Sequence, residues 1–186
     1  MQTIILDRDG VINEDEVRDA TEWQAIPGSL QAVARLSQHG YRVVLAINQG
    51  ELAGRKFSIE DFHSINQKML SHLAQFGGII EAIFFCPCSA REQDCNCRKP
   101  KPDMLNKVAS RLRISLADVP CVGDRLPDLQ AARAAGCRPV LVRTGRGAQT
   151  ENSSKMPMDV TVYDNLAAYV DVLLGMPKRC PLPTSL

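Results

Sequence analysis

Short apolar runs alternate along the chain with segments whose apolar residues recur every three or four positions. Thr3 to Leu6 is followed by Leu30 to Leu36, Tyr41 to Ile47 by Ile59 to Phe76, and Ile79 to Phe85 by Met104 to Leu112. The rhythm continues through Val119 to Val122, a helix from about Asp128 to Ala135, Val140 to Val142, and the amphipathic stretch Leu166 to Leu174, introduced by Asp164 and Asn165. Brief apolar runs read as strands and the periodic segments as helices, so the pattern predicts βαβ units. The strand-like runs are continuously apolar rather than alternating, which implies a sheet covered on both faces. The expectation is therefore α/β: a single Rossmann-like domain with a mainly parallel sheet and no large cap domain over residues 1–175, followed by a flexible tail at 176–186. Gly28-Ser29 reads as a helix start with Ser29 as its cap, Gly40 and Gly136 as helix ends, and Gly145 to Pro157 as the least regular internal stretch.

The 186 residues suit one domain with a sizeable core. Twenty-two basic and twenty-one acidic residues leave a net charge of +1, which gives no broad footprint for nucleic acid or for an anionic membrane. An anionic substrate must then be recognised locally. The Thr3 to Leu6 run is too short for a signal-peptide core or a membrane span, so the expected location is the cytoplasm.

In that compartment the cysteines point to metal rather than disulfides. Four of the seven fall in C-x-C-x6-C-x-C, at Cys86, Cys88, Cys95 and Cys97. Four thiolates at this spacing can close on one tetrahedral Zn²⁺, and four protein ligands leave no open position, so a structural zinc loop is expected within 86–100. Cys121 and Cys137 read as packing residues and Cys180 lies on the tail, while His39, His63 and His72 share no metal spacing and Trp23 reads as packing.

Asp7-Arg8-Asp9-Gly10 ends the first strand, and in open α/β sheets the ligand crevice lies beyond the carboxyl ends of the strands. Two aspartates at i and i+2 supply one carboxylate to attack and another to move a proton. A bare D-x-D-G is equally well explained by turn residues. Val122-Gly123-Asp124-Arg125-Leu126-Pro127-Asp128 changes that balance by adding acidic residues at a second strand end, where a hard cation can bridge Asp124 to Asp7. Arg98-Lys99-Pro100 adds positive charge, with Lys99 suited to hold a phosphoryl group.

Together, Asp7 to Asn13, Asn48-Gln49, Arg98-Lys99-Pro100 and Gly123-Asp124 with Asp128 resemble the ordered motifs of the haloacid dehalogenase superfamily phosphatases. A cysteine loop running into Cys97-Arg98-Lys99-Pro100 makes the chain similar to the heptose bisphosphate phosphatases within that superfamily. The resemblance implies a monomeric, Mg²⁺-dependent phosphatase acting on a small sugar phosphate, at the 7-phosphate of a heptose 1,7-bisphosphate. It implies Asp7 as nucleophile through an aspartyl-phosphate, Asp9 as general acid and base, and Lys99 as stabiliser of the phosphoryl group. Asn48, Gln49, Arg98 and Arg125 match substrate-contact positions. Asp7, Asp124 and the backbone oxygen of Asp9 would hold Mg²⁺, with Asp128 orienting Lys99 or Arg125.

Three departures stand out from that resemblance. Ile47 occupies a position that carries Thr or Ser, Glu51 one that carries glycine, and the segment between Asp9 and Trp23 is short. Two alternatives therefore stay open: a histidinol-phosphate phosphatase, or a catalytically weakened phosphate-binding module.

Overall fold

Six strands make one sheet: β1 Thr3–Leu6, β2 Arg42–Asn48, β3 Ala82–Cys86, β4 Pro120–Gly123, β5 Arg138–Val142 and β6 Thr161–Tyr163. Every pairing is parallel and the order is β3-β2-β1-β4-β5-β6. The structure is a computed structural model that describes residues 1–14, 19–54, 57–92 and 94–175. The expected tail with Cys180, and residues 15–18 of the short segment after Asp9, lie outside that description.

The covered faces follow from strand periodicity, because successive side chains point to opposite sides. Ile4, Leu6, Val43, Leu45 and Ile47 join one core layer with helices α1 (Ser29–Gln38), α2 (Ile59–Gln75) and α6 (Leu166–Leu173). Ile5, Val44 and Ala46 join the other with α3 (Asp103–Leu112) and α4 (Leu126–Ala134). Both layers exclude water almost completely, and each Leu or Ile buried in them contributes roughly 1.5–3 kcal/mol. This explains runs without polar alternation.

The chain runs outward from β1 through β2 to β3, then returns to the centre at β4 and runs outward the other way. Direction therefore reverses between β1 and β4, whose register sets Leu6 beside Val122. The carboxyl ends at this switch point face a common crevice.

Three expectations are corrected. Ser29 does not cap α1: Gly28 is the cap residue, with a positive φ, and the Ser29 hydroxyl donates to Ile12 O at 2.6 Å. Ser29 thus ties α1 to the loop after β1. The stretch from Gly145 to Pro157 contains a further short helix, α5 (Gly147–Glu151). β6 was not anticipated, being three residues long with only one aliphatic side chain. Elsewhere the punctuation agrees with the structure: Asn165 caps α6 through Ala168 N, and Gly40 and Gly136 follow helix ends with positive φ.

Candidate active site

Asp7 continues the line of β1, its amide donating to Val122 O at 2.9 Å, so it emerges at the switch point. Beside it, at the end of β4, Asp124 is fully buried. Gly10 and Gly145 both have positive φ, and a Cβ on either would strike the Asp124 carboxylate. Only glycine lets the two loops close on it. The enclosure is completed by Arg146 N donating to Asp124 Oδ2 at 2.8 Å, Thr150 Oγ1 to Asp124 O at 2.8 Å, and Thr144 Oγ1 to Gly10 O at 2.7 Å. The stretch that reads as least regular is therefore a wall of the site.

Lys99 Nζ lies 2.5 Å from Asp128 Oδ1 and 3.2 Å from Asp7 Oδ1, and donates to Ala46 O at 2.8 Å. Asp128 Oδ2 accepts from Arg125 N at 3.0 Å. With both oxygens engaged, Asp128 orients Lys99 and the start of α4. Carboxylate oxygens of Asp7, Asp124 and Asp128 lie within 4.8 Å of one another. Burial, with the neighbouring charges of Asp128 and Asp9 and against the pull of Lys99, pushes Asp7 up to about 7. Burial, then Asp7 and Asp128, push Asp124 up to about 8. Burial opposes the Lys99 charge, but Asp128 and Asp7 outweigh it and hold the ammonium above the ordinary lysine range.

One ammonium does not balance three crowded carboxylates. Asp124 Oδ1 is buried without a hydrogen-bond partner, and Arg125 Nε is 4.0 Å away. A hard divalent cation with oxygen ligands, such as Mg²⁺, fits this deficit between Asp7 and Asp124. Asp128, already committed to Lys99 and Arg125, is left out of that set.

Asp9 is held by two bonds from Arg8, Nε to Oδ1 at 3.1 Å and Nη2 to Oδ2 at 2.9 Å, and by Asn13 Nδ2 at 2.9 Å. Arg8 has no exposure and also donates to Gln49 Oε1 at 2.9 Å and Asn66 Oδ1 at 3.1 Å, with its guanidinium over the Phe62 ring. The motif reading gave Arg8 no role. Its signal in the sequence was a strong cation fixed between two aspartates.

Gln49 is buried, its carbonyl on Arg8 and its amide nitrogen donating to Glu51 Oε2 at 2.8 Å. Glu51 is tethered there on the cleft wall instead of turning away. Asn48 gives both amide functions to the backbone of Lys99, Nδ2 to O at 3.0 Å and Oδ1 from N at 3.1 Å. The Ile47 side chain belongs to the core layer beside α2 and is not part of the cleft. Arg98 and Arg125 flank a cleft of about 660 Å³ with Asp7 and Asp9 at its floor.

The four cysteines of the loop converge, their sulfurs within 4.8 Å of one another. Cys97 and Cys86 are 2.9 Å apart, Cys86 and Cys95 3.4 Å, and Cys95 and Cys97 3.5 Å. A tetrahedral zinc with sulfur at about 2.3 Å sets sulfurs roughly 3.8 Å apart, so a small expansion accommodates it. Side-chain hydrogen bonding with Cys95, followed by burial, pushes the Cys88 thiol up to about 12. At Cys95 burial is opposed and outweighed by hydrogen bonds from Cys88, Cys86 and Cys97, which bring it down to about 6. The four sulfurs thus already face one another. Cys121 and Cys137 are buried in the core layer under α3 and α4, and His39 and His63 are exposed. Trp23 is buried, its ring 5.2 Å from that of His72.

A parallel sheet whose switch point gathers an aspartate pair, a buried third aspartate and a lysine defines a phosphatase of the HAD-like class. In agreement, the HAD-hydrolase-like family profile matches residues 96–169. A D-glycero-beta-D-manno-heptose-1,7-bisphosphate 7-phosphatase of Bordetella bronchiseptica is 49% identical over 94% of this chain and 98% of its own. The enzyme of the same name from Pseudomonas aeruginosa is 39% identical over 92% and 97%. The crystal structure of the B. bronchiseptica D,D-heptose 1,7-bisphosphate phosphatase, complexed with magnesium and phosphate, superposes with a TM-score of 0.91 at 48% identity, covering 94% of this chain and 99% of that one. The chain belongs to the D-glycero-beta-D-manno-heptose-1,7-bisphosphate 7-phosphatase family.

Proposed function

We propose that the protein removes the 7-phosphate of D-glycero-β-D-manno-heptose 1,7-bisphosphate through an aspartyl-phosphate. The observation that carries the reading is the buried Asp124 Oδ1, without a hydrogen-bond partner, near Asp7, whose own Oδ1 lies 3.2 Å from Lys99 Nζ. A carboxylate suited to attack, a second carboxylate suited to bind a cation and a fixed ammonium meet at one point. The names of the relatives support a heptose bisphosphate and give no support to histidinol phosphate.

In the first half-reaction Asp7 attacks phosphorus, the bond from phosphorus to the sugar oxygen breaks, and Asp9 gives that oxygen a proton. In the second, Asp9 takes a proton from water as the water oxygen attacks phosphorus. The bond to Asp7 then breaks and inorganic phosphate leaves. Lys99 offsets charge on the transferring group, and Asp128 keeps its ammonium beside Asp7. Arg8 and Asn13 fix the direction of the Asp9 carboxylate. Asp7, Asp124 and the Asp9 backbone oxygen would hold Mg²⁺, which supplies positive charge that lets a carboxylate approach a phosphate. The family member whose crystal structure is complexed with magnesium and phosphate supports Mg²⁺ as the ion.

Cys86, Cys88, Cys95 and Cys97 would hold a structural Zn²⁺, fixing Arg98 and Lys99 at the cleft. The substrate is a small sugar phosphate, as the names of the relatives support, and the protein acts on it as a monomer in the cytoplasm. Among the described residues no helix is long and apolar enough to cross a membrane.

Phosphorus NMR of the bisphosphate with enzyme and Mg²⁺ is expected to show loss of the 7-phosphate with the 1-phosphate retained. Asp7→Asn should abolish turnover while leaving the melting transition in place. Release of the 1-phosphate, faster hydrolysis of histidinol phosphate, or an active Asp7→Asn variant would overturn the reading.

A further inference from the structure

We propose that Asn48 is a positioning residue that acts through Lys99, rather than a contact to the sugar. The inference rests on the role given above to Lys99. An asparagine amide carries an acceptor and a donor in one plane, the same pair a peptide group presents. Asn48 matches both against a single residue, its Oδ1 accepting from Lys99 N at 3.1 Å and its Nδ2 donating to Lys99 O at 3.0 Å. Turning the amide toward a substrate would break both bonds.

Lys99 lies in a loop rather than in the sheet, yet its ammonium must stay 3.2 Å from Asp7 and 2.5 Å from Asp128. The last residue of β2 supplies the missing strand-like partner for its backbone. A second observation points the same way. Gln49 N donates to Cys86 O at 2.8 Å, and a Cβ on Gly50 would lie 2.8 Å from Arg98 Nη1 and 3.1 Å from Cys88 O. The exit of β2 is therefore a template for the cysteine loop, and Asn48 is the point at which it fixes the reactive cation. Displacing a charge-stabilising group by about 1 Å can cost on the order of a hundredfold in rate.

The test compares Asn48→Ala, Lys99→Ala and the double variant on the heptose bisphosphate and on p-nitrophenyl phosphate, which has no sugar. Asn48→Ala is expected to lower kcat by about ten- to a hundredfold on both substrates, with KM changed less than about twofold. In the Lys99→Ala background the same change should cost less than about threefold, because its effect is routed through the lysine. Asn48→Asp keeps the acceptor for Lys99 N but sets a carboxylate against Lys99 O. It should lose rate similarly with unchanged zinc content and melting temperature, and it serves if the alanine variant does not fold. Multiplying losses in the double variant, or a loss confined to KM for the sugar substrate, would overturn the proposal. A fully active Lys99→Ala enzyme would instead remove the role of Lys99, and the proposal with it.

Discussion

Arg8 is a cation with no exposure, its guanidinium shared among Asp9, Gln49 and Asn66. Such a cation is tolerated inside a protein because every partner is present, and removing one leaves a buried charge that costs several kcal/mol. Ile47 is the opposite case: a side chain spent wholly on packing in the core layer beside α2. Ile47→Thr is expected to lower stability by about 1–3 kcal/mol, since it puts a hydroxyl into an apolar layer. Because the side chain points into that layer and not into the cleft, no new donor reaches the phosphoryl group and kcat/KM should change by less than about threefold. Denaturant titration and steady-state kinetics read the two effects separately, and a gain in kcat/KM of about tenfold or more would show that position 47 does reach the phosphoryl group. At this scale the sequence revealed where residues sit but not which way they point. Asn48 and Gln49 were legible as residues at a strand end, while their commitment to Lys99, Arg8 and Glu51 depends on side-chain rotamers set by distant segments.

Between residues and the whole, the first five strands and the longer helices were readable because they have strong periodicity and sharp punctuation. The wall formed by Thr144 to Thr150 was not, because its order comes from bonds to Asp124 and Gly10, far away in sequence. β6 is held by pairing with β5 and by Tyr163 packing on Tyr169 of α6, which no local pattern announces. The cysteine loop was legible because metal spacing is itself a local pattern. Cys95→Ser is expected to remove about one bound zinc per chain and to lower kcat more than tenfold through disorder at Arg98 and Lys99. Metal analysis beside kinetics checks this; full activity in a zinc-free variant would deny the loop its structural task.

For the molecule as a whole, the raised Asp7 and Asp124, at about 7 and about 8, link metal to protons. Both groups hold protons more firmly in the metal-free fold than in the unfolded chain. Their contribution to stability is therefore greatest at low pH and is lost as pH rises toward about 8. Mg²⁺ must displace those protons, so its apparent affinity should weaken as pH falls from about 8.5 to about 6, by up to tenfold per unit for each proton released. Calorimetric titration in two buffers of different ionisation enthalpy would count the protons, and a pH-independent affinity would place the cation elsewhere.

Another consequence follows from where the cysteine loop begins. Cys86 is the last residue of β3, one of the two edge strands, in which Ile83, Phe84 and Phe85 are only half-buried. An apolar border strand with unused backbone groups is a ready template for a second chain. A zinc held by the four cysteines would pin the end of that strand, so chelation would leave a protein that is adhesive as well as inactive, and the metal would serve as a guard against aggregation.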